Sequence, residues 1–108
     1  MTVYSFGDII LVGFPHTDLQ AQSKRPAMIL YDSGDQDVLV ARITTQVHAD
    51  DADYRIKEWQ KCGLLAESTI RIGKQATIKK RLIVKQLGAL GTHEAEALRS
   101  ILKRIFSL

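Results

Sequence analysis

The sequence predicts an α+β domain in which mostly antiparallel short strands are followed by one C-terminal helix. Two patterns carry this expectation. Short apolar or alternating runs, rich in β-branched residues and separated by Gly, Pro, Asp and Ser, fill the chain as far as Leu87. Beyond Thr92 the apolar spacing turns helical, with Leu98, Ile101, Leu102 and Ile105 on one stripe. A length of 108 residues without a Gly- or Pro-rich linker predicts a single domain, residues 1–108.

The elements follow in order. Asp8 to Phe14, bounded by Gly7 and Pro15, is an apolar run expected to be a strand buried on both faces. Pro15 to Lys24 is polar and turn-rich and is expected to be a long, functional loop. Arg25 to Tyr31 forms the second strand, with Pro26 tolerated near its start because the first residues need not donate to a ladder. A turn at Asp32 to Gln36 leads to a third strand, Asp37 to Thr44, and an antiparallel meander is the economical arrangement. Val47 to Asp53 is acidic and is expected to be a solvated, mobile loop, with a weak strand at Tyr54 to Lys57 and a helical turn at Glu58 to Lys61. Ser68 to Ile72 and Gln75 to Lys79 alternate and are expected to be two strands separated by Gly73-Lys74, with Leu82 to Leu87 closing the β part. The helix is expected over 93–106, with Thr92 as N-cap, Glu94 and Glu96 in the first turn, and Lys103 and Arg104 in the last.

Composition narrows the function. With 45% hydrophobic and 25% charged residues the chain is ordinary for a globular protein and unlike a disordered one. Cys62 is the only cysteine, so no internal disulfide forms, and a lone cysteine beside Gly63 and Leu64 is more often a buried small hydrophobe than a nucleophile. Met1 to Phe6 lacks the basic and apolar regions of a signal peptide, and no apolar run approaches the roughly 20 residues of a membrane span, so a soluble, cytoplasmic protein is expected. Phosphate-loop, dinucleotide, zinc-protease and hydrolase-elbow motifs are absent; the isolated histidines and the Asp50-Asp51-Asp53 cluster lack metal-ligand spacing, so no metal and no cofactor is expected. Lys and Arg outnumber Asp and Glu by 15 to 12, and the basic residues gather at Lys24-Arg25, from Arg71 to Lys85, and at Lys103-Arg104. Such a face suits nucleic acid or another anion, and equally a solvated surface.

If the second and third strands pair antiparallel, Arg25 at the start of one lies near Thr44-Thr45-Gln46 at the end of the other. A guanidinium fork beside hydroxyls makes a phosphate site. The competing reading is a structural arginine bridging a loop acid, with the threonines as ordinary strand formers.

The residues Gly7-Asp8-Ile9-Ile10-Leu11-Val12, Phe14-Pro15-His16-Thr17-Asp18-Leu19, Lys24-Arg25-Pro26 and Ile43-Thr44-Thr45-Gln46 resemble, in that order, the motifs of the MazF/PemK toxins. The resemblance continues through Gly63-Leu64-Leu65 with Ser68, Ala76-Thr77-Ile78, and Leu82-Ile83 followed by Leu87-Gly88-Ala89-Leu90, so it covers nearly the whole chain. It implies a small SH3-like β-barrel with helices, usually a homodimer. It also implies a metal-independent, sequence-selective endoribonuclease (mRNA interferase) that cuts single-stranded RNA and is neutralised by a cognate antitoxin with an acidic, disordered tail. By motif match Arg25 and Thr44 look like the catalytic pair. The RNA-binding set expected around them is His16, Thr17, Ser23, Lys24, Thr45, Gln46, Arg71 and Lys74, with His16 also a candidate proton acceptor. Some members of the plasmid-encoded branch carry a second catalytic arginine at the position of Arg71 and an aspartate two residues later, where this chain has Gly73. The alternative is a non-catalytic SH3-like module that binds nucleic acid or protein, as a gyrase-inhibitor-like toxin or an inactive family member would.

Overall fold

The computed structural model describes residues 2–15 and 22–108. Strands β1 (Asp8–Pro15), β2 (Gln22–Tyr31), β3 (Asp37–Thr44), β4 (Asp53–Arg55), β5 (Thr69–Lys79) and β6 (Ile83–Ala89) precede helix α1 (Thr92–Ile105). All pairings are antiparallel, in the order β4-β5-β3-β2-β1-β6. The first three strands are the expected meander. The α+β class, the antiparallel pairing and the terminal helix are as anticipated, while the sheet is left open between β4 and β6 rather than closed.

The apolar runs of β1 to β3 are buried on both sides, and two cores result. Ile9, Met28, Ala41, Ile43, Ile70 and Ile72 pack with Leu98 of α1, and Trp59, Ile101, Leu102 and Ile105 pack against that cluster. On the opposite face Ile10, Val12, Ala27, Ile29, Val38, Val40 and Ile78 form a second cluster, covered by Tyr4, Leu82 and Ile83. Cys62 is 1% exposed within the helix-side core, and burial pushes its thiol pKa up, with Glu94 and Glu58 adding to the shift. It is the buried hydrophobe expected from its neighbours.

Several elements differ from the sequence reading. The β1–β2 ladder runs out to Pro15 opposite Gln22, which shortens the ten-residue loop to the connection 16–21. Ladder bonds are backbone bonds, so polar side chains do not end a strand. Pro26 sits well inside β2 rather than near its start, opposite Leu11, and the β2–β3 register is recorded only from Ala27 onward. Gly73 and Lys74 are not a turn between two strands. They belong to a bulge in one long β5, because Ala41 faces Gln75 while Arg42 faces Arg71, leaving Ile72, Gly73 and Lys74 outside the β3 register. The Gln75 amide closes this bulge by donating to the Ile72 carbonyl at 2.8 Å.

The acidic segment is folded rather than merely solvated. Asp50 accepts from the Ala52 amide at 3.0 Å and Asp53 from the Asp50 amide at 3.2 Å. The Arg71 guanidinium donates to Asp53 at 3.0 Å and to Asp50 at 3.2 Å, and Arg104 donates to the Asp51 carbonyl. Helix α1 begins at Thr92 with Gly91 as N-cap, and no side chain caps it. Glu94 of its first turn is buried and reaches across to residues 54–58, accepting from the Tyr54 hydroxyl at 2.8 Å, the Lys57 amide at 2.7 Å and the Glu58 amide at 3.3 Å. Burial, and then the Glu94 carboxylate, raise the Tyr54 phenol pKa well above its usual value.

Candidate functional site

Where the β2–β3 ladder stops, the sheet opens into two cavities that share Pro26 as a common wall. The larger, of about 620 Å³, lies on the face away from α1. Its walls include Val40, Ala76 and Ile78, and it carries the cations Arg25, Arg42 and Lys74. The smaller, of about 390 Å³, takes Lys24, Thr45 and Lys85 among its lining residues. Successive residues of a strand point to opposite faces, and so Lys24 and Arg25, adjacent in sequence, serve different cavities.

Ala27 pairs with Arg42, and two positions further out on each strand stand Arg25 and Thr44. Arg25, expected with Thr44 as the catalytic pair, lies inside β2 and lines the larger cavity, whereas Thr44 ends β3 and is not among that cavity's lining residues. Thr44 Oγ1 accepts the Gln46 amide at 3.2 Å, which orients the hydroxyl and leaves its proton for donation. Ser23 also lines the larger cavity, whereas Gln46 lies exposed just beyond β3. His16 and Thr17 fall outside the described residues.

The cations are not equivalent. Arg71 is engaged by Asp53 and Asp50, and its side chain is only 16% exposed. The hydrogen bond from Arg71 to Asp53 raises the arginine's pKa; burial alone would raise that of Asp53, but the same bond and the Asp50 amide leave it lowered. Arg71, expected in the phosphate-binding set, pairs with Arg42 across β3 and β5 but lines neither cavity. Arg25, Arg42 and Lys74 are exposed and have no carboxylate partner among the described residues. Three positive charges without a counterion around one apolar cavity attract an anion. Sequence reasoning missed Arg42. The readable signal was its phase, for it shares a face with Val38 and Val40 in a strand otherwise buried there.

Among the described residues no three His, Cys, Asp or Glu side chains converge in a way that could hold a metal ion. No helix among them is long and apolar enough to cross a membrane.

An open antiparallel sheet, one face packed on a helix and the other offering a cation-rimmed cavity, defines a small α+β protein with a candidate anion site. Within that class, the chain belongs to the family of PemK-like, MazF-like toxins of type II toxin–antitoxin systems, whose model matches residues 5–106. Among solved structures it resembles a Mycobacterium tuberculosis toxin, MazF-mt6, with a TM-score of 0.76 at 23% identity over 94% of this chain and 97% of that one. An endoribonuclease from a mycobacterial species superposes with a TM-score of 0.77 at 16% identity, covering 100% of this chain and 95% of the other. A mycobacterial endoribonuclease in complex with its cognate antitoxin gives 0.75 at 14% identity, covering 95% and 94%. No curated protein matches the chain.

Proposed function

We propose that this chain is an mRNA interferase, the toxin of a type II pair, and that it cuts single-stranded RNA by transesterification. The observation that supports the reading is a cavity bordered by Arg25, Arg42 and Lys74 in a member of a toxin family, with Thr44 two residues beyond Arg42 on β3. The ribose 2′-OH attacks the adjacent phosphorus and the 5′ oxygen leaves, giving a 2′,3′-cyclic phosphate and a 5′-hydroxyl. RNA brings its own nucleophile, and DNA, lacking the 2′-OH, is spared.

The protein's work is then alignment and charge stabilisation. Arg25, permanently protonated, offsets charge growing on the phosphoryl oxygens. Thr44 donates its hydroxyl proton to a phosphate oxygen or orients the 2′-OH. Lys74 and Ser23 border the same cavity, and Lys24 with Thr45 extends the path to the second one. His16, which precedes β2 in the sequence, is the candidate proton acceptor. Arg71, already neutralised by Asp53 and Asp50, supports the sheet edge beside this path.

A cognate antitoxin is the expected partner, its acidic tail competing with RNA for the same cations, and the active unit is a cytoplasmic homodimer. The test is to incubate the protein with a long single-stranded RNA and map new 5′ ends, for wild type and for Arg25→Ala. Discrete cuts that vanish in the variant support the reading. Bound but intact RNA with the wild type points instead to a binding module, and wild-type-like cutting by Arg25→Ala removes that residue from the mechanism.

A further inference from the structure

We infer that the larger cavity seats one unpaired base of the RNA beside the scissile phosphate, and that Arg42 is the residue that selects it. This inference rests on the nuclease reading above and names a subsite within it.

The lining argues for a base rather than a second phosphate. Pro26, Ala27, Val40, Ala76 and Ile78 present apolar surface, against which a phosphate gains nothing and the flat face of a nucleobase gains by leaving water. A volume of about 620 Å³ lies within the range of small-molecule sites and exceeds what a single anion needs. The lining includes no acidic residue to repel the strand. The cavity is held open from one side by the β5 bulge, which the Gln75 amide bond to Ile72 fixes in place.

Arg42 stands where a reader of that base must stand. It lies on the same face of β3 as Thr44, two residues along, which is roughly 6.6 Å on an extended strand. Its partner on β2 is Ala27, the last pair of that ladder, and Arg25, two residues before Ala27, lines the same cavity. A phosphate held by Arg25 and Thr44 therefore delivers the attached nucleoside toward Arg42. The Arg42 guanidinium has no carboxylate partner among the described residues, whereas Arg71 directly across β5 has two. A planar fork of donors can lie against a base face or meet paired acceptors on a base edge, and rejects an edge that offers donors.

The experiment maps cleavage sites of wild type, Arg42→Ala and Arg42→Lys on one long RNA of mixed sequence. Wild type is expected to prefer one base at a position next to the cut. Arg42→Ala should lose about tenfold or more of the discrimination at that position alone. Arg42→Lys, which keeps the charge without the fork, should recover cutting rate but not the preference. Rates lowered equally at every site with preferences unchanged, or full restoration by lysine, would overturn the inference and make Arg42 a plain counter-charge. Wild-type RNA left intact would instead overturn the nuclease reading and this subsite with it. Arg42 is exposed and makes no ion pair, so both variants should melt within a few degrees of wild type.

Discussion

Gly63 and Gly88 lock the turn after Trp59 onto β6, and three alanine substitutions separate the reasons. A Cβ on Gly63 would lie 2.1 Å from the Leu87 carbonyl oxygen, and one on Gly88 would lie 2.6 Å from that of Cys62. Each glycine thus rests on the backbone of the residue preceding the other, and backbone cannot rotate aside as a side chain does. Gly63 also has φ +79, whereas Gly34 has φ +95 with nothing within 4 Å of its would-be Cβ. Gly34→Ala should cost only the left-handed penalty, about 1–2 kcal/mol. Gly88→Ala should cost only overpacking, about 1–3 kcal/mol. Gly63→Ala incurs both, about 2–5 kcal/mol. A smaller unfolded-state gain of about 0.4–1 kcal/mol offsets all three alike. At about 4–8 °C per kcal/mol for a domain near this size, thermal melting resolves the series, and urea unfolding with constant slope confirms that one transition is being compared. If Gly63→Ala proved no less stable than Gly34→Ala, the interlocked backbones would not be a real constraint.

Arg25→Ala should lower the cleavage rate about 10²- to 10³-fold, the usual cost of losing one charge-stabilising donor, with melting unchanged; Thr44→Val tests the hydroxyl in the same assay and should also cut more slowly. Cleavage should persist in excess EDTA, because RNA supplies the nucleophile and Arg25 the positive charge; its loss there would refute that account. Leu98→Ala, at a fully buried position in the helix-side core, should cost about 2–5 kcal/mol in denaturant unfolding. Asp53 has a lowered folded-state pKa, so its pairing with Arg71 contributes stability above the ordinary carboxylate range that is lost as pH falls through the folded value. Asp53→Asn should therefore lower melting temperature at neutral pH and flatten its fall in acid.

Legibility in the sequence followed how local each cause was. β1 and β3 were visible as apolar runs, and the α1 stripe was visible because Leu98, Ile101, Leu102 and Ile105 need only helical spacing to share a side. Gly73-Lys74 misled because glycine beside lysine is local turn chemistry, whereas continuity of β5 depends on both halves pairing with β3, a distant partner. The acidic segment misled for a related reason: Asp50 and Asp53 read as solvated until Arg71, far along the chain, is placed beside them. Thr92 looked like the cap, but the chain enters the helix one residue earlier, at Gly91. In the site, Arg25 was expected to open its strand, but β2 begins three residues earlier at Gln22 because its ladder with β1 continues to Pro15. Arg42 was not legible, since its role depends on which side of β3 the cavity opens.

The splitting of Lys24 and Arg25 between two cavities has a consequence for how this chain tolerates insertions and deletions. Parity along β2 decides which cation meets which anion, and that parity is anchored downstream, where Ala27 to Ile29 alternate between the two cores. Length changes within 16–21 leave it untouched. One residue gained between Arg25 and Ala27 would send the arginine to the helix side and carry the lysine's charge to the other, exchanging the two without altering composition near the site.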